Sequence, residues 1–216
     1  MRGRAPAIAM LVLLIAAPDA AGKGKRTPNM PRGWTWPPSE TMRDVGASCL
    51  KDLDELGIDY ERAAATRKVA TPIVLPDLKL GEIELQPIWK KGPFVMDCHL
   101  ARALARHATE IRAVGVAALR FSTIHDYRTI RMNGRKSRIL SRHAIGLAMD
   151  VPEVELVDGT ILDVERDYAA GHPILAALET VLGGADELRT PLTPGNDPVS
   201  HDDHFHLEAH MRLEDE

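Results

Sequence analysis

The chain has 216 residues, 44% of them hydrophobic and 27% charged. That profile supports one substantial core and excludes a disordered chain, a collagen-like fibre or a fold held by cystines alone. A formal net charge of −4 argues against a dedicated nucleic-acid binder, which carries a basic excess. The nine histidines are unevenly spread: His201, His204, His206 and His210 fall in the last sixteen residues. Imidazole is the commonest metal ligand and a proton carrier near neutral pH, so the distribution carries more information than the count.

Residues 1–22 read as a secretory signal peptide. Arg2 and Arg4 supply the positive start, AIAMLVLLIAA at 7–17 the apolar core, and Ala20, Ala21 and Gly22 the small residues that follow. The apolar run falls short of the roughly 20 residues that span a bilayer, and a retained anchor is the alternative. The expectation is a periplasmic or secreted protein with no membrane segment once the signal is cut. Cleavage removes two arginines and one aspartate and moves the net charge from −4 to −5. In an oxidising compartment the two cysteines, Cys49 and Cys98, are expected to form one disulfide; the alternative is two buried thiols. Residues 23–38 are rich in Gly, Pro and basic residues without apolar periodicity and read as a flexible linker, with Trp34 and Trp36 either docked or free. The folded domain is expected over 39–216.

Ser39 caps an expected helix running to about Leu56, with Cys49, Leu50, Leu53 and Leu56 on one side and Gly57 as its stop. Residues 72–88 hold two short apolar runs about a turn and predict a hairpin, with Pro76 placing the first run on an edge. Asp97 opens a helix whose Leu100, Leu104, Ile111 and Val114 share a face before Gly115. A strand is expected over 116–124, a hairpin about Asp158-Gly159 over 154–164, a helix over about 172–182, and a last strand near 204–210. Hairpins with segregated helices predict an α+β fold, a small antiparallel sheet with flanking helices.

Two segments carry chemistry. In SRHAIGLAMDV, 141–151, Gly146 permits a sharp turn that returns Asp150 beside His143. In HDDHFHLEAH, 201–210, a strand puts His204 and His206 on one face and Phe205 in the core. Two imidazoles and a carboxylate are an ordinary set for a catalytic zinc, which polarises a carbonyl and acidifies a water. The bland readings are a core histidine, a strand-end aspartate and a polar loop.

S-x-H-x-x-G-x-A-x-D at 141–150 resembles the D-Ala-D-Ala carboxypeptidase and D,D-dipeptidase zinc peptidases. More fully, the chain is similar to the bacterial extensin-like protein C-terminal domain, over about 45–210: CLKDLDELGI at 49–58, the expected hairpin at 72–88, DCHLARALAR at 97–106, NGR at 133–135, LSRHAIGLAMDV at 140–151 and HDDHFHLE at 201–208. The resemblance implies a zinc D-Ala-D-Ala carboxypeptidase-like (Hedgehog/DD-peptidase-like) fold with zinc ligands His143, Asp150 and His206. It implies a general base just before the last ligand. Asp203 is favoured, facing the metal if 203–206 is a helical turn; His204 takes that place if it is a strand. Tyr127-Arg128 resembles the dipeptidase Tyr-Arg pair, which makes Arg128 the expected oxyanion stabiliser, with Arg131 the alternative and an exposed basic turn the bland reading. Extensin-like domains commonly carry two further cysteines that are missing here. The expected function is an exported zinc peptidase hydrolysing amide bonds in peptidoglycan peptides as a monomer. The alternatives are a wall-binding module that keeps the fold without the chemistry and a metal buffer using the terminal histidines. His201 and His210 carry no assigned role.

Overall fold

The computed structural model describes residues 29–132 and 135–213. The expected signal peptide and the start of the linker lie outside the described residues. The rest of the linker is docked on the domain. The Asn29 side-chain amide donates to the Leu140 carbonyl (3.2 Å), the Asn29 carbonyl accepts from Arg142 Nε (2.8 Å), and Met30 and Trp34 pack against the core. No helix among the described residues is long and apolar enough to cross a membrane.

Helix α1 spans Glu40–Glu55 and is capped by Ser39, whose hydroxyl accepts from the Met42 N–H. Met42, Gly46, Cys49, Leu50 and Leu53 are buried at helical spacing, while Leu56 caps the end and stays exposed. Next come β1 (Glu61–Arg62), β2 (Pro72–Val74), β3 (Lys79–Leu80), β4 (Ile83–Pro87) and β5 (Met96–Asp97). The hairpin expected over 72–88 is narrower than that span. Only β3 and β4 pair, about Gly81 at φ +59°, whereas β2 lies between β1 and β5 at the centre of a separate three-stranded sheet. Residue 71 explains the split: its N–H donates to Asp97 Oδ2 and its carbonyl accepts from the Cys98 N–H, both at 2.9 Å, tying this run to the next helix.

That helix is two helices, α2 (Cys98–Arg106) and α3 (Ala108–Ala113). The break is at His107, whose backbone leaves helical geometry (φ −106°, ψ 10°) and whose Nε2 meets Glu187 Oε2 at 3.1 Å. Strand β6 (Val116–Phe121) follows, then the β7/β8 ribbon (Thr129–Met132, Arg135–Leu140), a 3₁₀ turn at Arg142–Ile145, β9 (Ala148–Val151), the β10/β11 hairpin (Glu153–Leu156, Ile161–Asp163), α4 (Pro173–Gly183) and β12 (Phe205–Glu208).

The largest sheet has five strands in the order β11-β10-β6-β4-β3. It is mixed, not antiparallel as expected, because β4 and β6 run parallel. Parallel neighbours need a crossover of a dozen or more residues, and α2 with α3 supplies it. The fold is therefore mixed α/β with several small sheets, its core filled by Leu100, Leu104, Ile111, Leu119, Phe121 and Phe205. Beside the main sheet, β9 and β12 form an antiparallel pair that carries Asp150 and His206.

A disulfide joins Cys49 of α1 to Cys98 at the start of α2 across 49 residues of chain. Closing a loop of that length restricts the unfolded chain by about 4 kcal/mol in the loop-entropy model. The Cys49→Ala/Cys98→Ala variant is therefore expected to unfold at markedly lower temperature than the oxidised protein in a thermal melt. An unchanged melting temperature would show that the bridge contributes nothing.

Candidate metal centre

The pairing of β9 with β12 sets Asp150 directly opposite His206. Directly opposed residues in an antiparallel pair project from the same face with Cβ atoms about 5 Å apart. Alternation sends Met149, Val151, Phe205 and Leu207 into the core on the other face. His143 arrives from the preceding turn. The Ser141 hydroxyl accepts from the His143 N–H, and Gly146 closes the turn at φ +71°. A Cβ at Gly146 would lie 2.8 Å from the Asp97 backbone nitrogen, so glycine is required there by conformation and by space.

The three side chains converge. His143 Nε2 lies 3.0 Å from Asp150 Oδ1, His206 Nδ1 lies 2.7 Å from the same oxygen, and the two ring nitrogens are 3.3 Å apart. The other nitrogen of each ring is committed. His143 Nδ1 donates to the Ile124 carbonyl (2.8 Å), and His206 Nε2 donates to Glu208 Oε1 (3.0 Å). A carbonyl and a carboxylate only accept, so in neutral rings the protons sit on those outer nitrogens. The inner nitrogens then present lone pairs to a carboxylate oxygen. Three acceptors facing one another require a proton or a cation between them. Donor atoms held at about 2.0–2.1 Å around a tetrahedral ion stand ~3.3 Å apart, close to the spacing found. The residues fit a divalent metal such as zinc, and each imidazole has the outer partner that orients a metal-bound histidine.

A second possible set is His201, His204 and His206, whose ligand atoms lie within 4.8 Å of one another. His201 is a residue the sequence reading left without a role. Its Nδ1 meets Asp197 Oδ2 at 2.8 Å, and its ring lies 5.1 Å from that of His206. His210 is not part of the centre; it lines a cavity with His99 and Arg102.

Residues 202–204 form a bend and the strand starts at Phe205, so 203–206 is not the helical turn that would aim Asp203 at the metal. His204 reaches the centre instead, with Nε2 3.4 Å from Asp150 Oδ1. Asp203 is exposed and stands behind it, 2.5 Å from His204 Nδ1. Arg128 points at the centre: Nη2 lies 3.3 Å from Asp150 Oδ2, and Nε lies 3.7 Å from Asp126. The Arg131 side chain lies outside the described residues. The ring of Tyr127 is covered by the Arg67 guanidinium at 3.7 Å.

Glu208 was missed in sequence, although it shares the strand face of His206. It is buried between His206, Arg189, which forms an ion pair with Oε2, and Arg142, whose Nε is 3.9 Å from Oε2. Burial pushes the Glu208 carboxyl up, but the His206 hydrogen bond and the neighbouring cations bring it down to about 2. Burial pulls the Arg142 guanidinium down to about 10. Burial likewise disfavours charge on Asp150, yet its contacts with His143, His204 and His206 hold its carboxyl far below the usual range. Burial lowers His206, and its bonds to Asp150 and Glu208 override this and raise it to about 9. His204 is raised by the same Asp150 contact and by Asp203, against its own burial.

Metal-free protein at neutral pH therefore carries a proton on His206 that a metal must displace. Because the folded pKa is raised, that proton's contribution to stability is full below the unfolded value of about 6.5 and is lost as pH rises through about 9. Calorimetry in buffers of different ionisation enthalpy is expected to show at least one proton released per zinc, with affinity rising up to about pH 9. Affinity independent of pH would contradict the assignment. Glu208→Gln keeps an acceptor for His206 but removes the charge, and should weaken zinc binding about tenfold or more in a chelator competition. Unchanged affinity would show that Glu208 does not tune the ligand.

The family model described as extensin-like protein C-terminus matches residues 47–216, which contain every residue of the centre. No curated protein and no solved structure matches the chain. By the extent of that match, the chain belongs to the extensin-like protein C-terminal family.

Proposed function

We propose that the chain is an exported zinc-dependent peptidase that hydrolyses amide bonds in cell-wall peptidoglycan peptides, related in fold and ligand pattern to the D-Ala-D-Ala peptidases. The observation that carries this reading is the convergence of His143 Nε2, Asp150 Oδ1 and His206 Nδ1, each imidazole fixed from outside by an acceptor. Bound by these three residues, zinc would supply Lewis acidity to a substrate carbonyl and a water.

The chain's own residues divide the remaining work. His204, 19% exposed at its side chain and backed by Asp203, is placed to take and return a proton, the base role that the family pattern also offered to Asp203. Asp203 then acts by holding the ring through Nδ1. His201, backed by Asp197, is a second proton carrier at the same edge. Arg128, half exposed beside Asp150, presents a cation where negative charge develops on the substrate oxygen.

Metal analysis of the purified protein and release of soluble peptides from isolated cell wall test this reading. Zinc near one equivalent and measurable release are expected for the wild type, and both should be lost in His206→Ala. His204→Ala should keep zinc and lose release by about 100-fold or more. Zinc-loaded wild type that binds wall but releases nothing would overturn the hydrolase reading and leave a binding module. His206→Ala that keeps both zinc and release would overturn the ligand assignment.

A further inference from the structure

A pocket of about 190 Å³ shares the segment 122–125 with the metal centre. One wall is the segment 122–125, whose backbone also builds the centre. The Asp150 N–H donates to the Thr123 carbonyl at 2.9 Å, and His143 Nδ1 donates to the Ile124 carbonyl at 2.8 Å. A group seated in the pocket is thus separated from two of the three candidate ligand residues by the single segment 122–125. The facing wall is the loop 90–95, where Phe94 packs edge-on against Phe121 at 4.9 Å between ring centres.

The lining is chemically divided. Pro93, Phe94, Val95 and Phe121 supply the apolar part of the lining, Ser122, Thr123 and His125 a polar part, and Lys90 and Lys91 stand at the wall as exposed cations. Neither lysine has a hydrogen bond or ion pair among the described residues. Trp89, next to Lys90 in the chain, is 71% exposed. His125 lines the same wall, and its Nε2 is buried without a hydrogen-bond partner among the described residues.

The volume corresponds to roughly six water molecules, below the 300 Å³ or so of a drug-sized site, so it suits one side chain or one chain end. The apolar part of the lining favours an aliphatic stem. Two cations with no partner among the described residues, on a chain of net charge −4, favour a negative terminus. We infer that this pocket is a substrate subsite for a peptide residue carrying a carboxylate, and that Lys90 and Lys91 select it. Its link to catalysis rests on the peptidase reading above, but the claim itself is one of binding.

The test uses the full zinc-loaded chain and two probes, N-acetyl-Ala-Glu-Ala-Ala amide and the same peptide with Gln in place of Glu. Affinities are measured by calorimetry for the wild type, Lys90→Ala/Lys91→Ala and Lys90→Glu/Lys91→Glu. All substitutions lie on an exposed loop, and thermal melts check that the variants stay folded. The wild type is expected to bind the Glu peptide about five- to tenfold more tightly than the Gln peptide, with the preference shrinking at high salt. The double alanine variant should lose the preference and the double glutamate variant should reverse it. A preference that survives in both variants, no preference in the wild type, or no binding of either peptide would overturn the subsite. A preference without any peptide release from cell wall would sink the hydrolase reading and leave the subsite standing. Release without a charge preference would do the opposite.

Discussion

The structure turns on one carboxylate, Asp150, held between two imidazoles whose outer nitrogens are already occupied. Burying an aspartate costs several kcal/mol unless charge and hydrogen bonds compensate it. Here the compensation comes from elements far apart in sequence: His143 from a turn, His206 from the last strand, His204 from the bend before it and Arg128 from the approach to the β7/β8 ribbon. Each is held at the centre by backbone that serves another purpose. The β9–β12 ladder buries Phe205 and Leu207 on one face and opposes Asp150 to His206 on the other. Packing and chemistry are thus two faces of the same pair of strands.

Behind the candidate ligands lies a second layer that fixes their direction. Glu208 orients His206, and Arg142 and Arg189 hold Glu208. Ala148, directly opposite Glu208 on β9, is small enough to leave the carboxylate room for those cations. Arg142 in turn donates to the carbonyls of Asn29 and Ala209 at 2.8 and 3.2 Å. The segment before the first helix is therefore a support of the centre, although by composition it resembles a tether. Its Gly, Pro and basic residues lack periodicity because they contribute single hydrogen bonds and isolated apolar contacts, not a helix or strand face.

Much of this was legible in sequence where a local rule applied. Ser39, Gly57 and the Asp158-Gly159 turn follow from capping and turn chemistry. The meeting of His143 with Asp150 follows from a glycine that alone fits the turn between them. The parallel β4/β6 pairing was not legible, because strand partners are chosen by tertiary packing and no local pattern records the choice. His201 was missed for a related reason. The bend at 202–204 brings its ring to His206 across five positions, a distance neither strand nor helix spacing anticipates, although Asp197 four residues earlier was a local hint. Glu208 was within reach of the alternation already used for His204 and His206. Asp203 was favoured because a turn was allowed at 203–206, and the early start of the strand at Phe205 puts His204 there instead.

Two overlapping ligand sets share His206, and they separate the central claim from its nearest rival. X-ray absorption at the zinc edge of the loaded protein reads the ligands directly, with Asp150→Asn as the comparison. Two imidazole nitrogens and one carboxylate oxygen at about 2.0–2.2 Å are expected in the wild type, with the oxygen shell altered in Asp150→Asn. Three imidazoles from His201, His204 and His206, unchanged in Asp150→Asn, would contradict a centre built on Asp150.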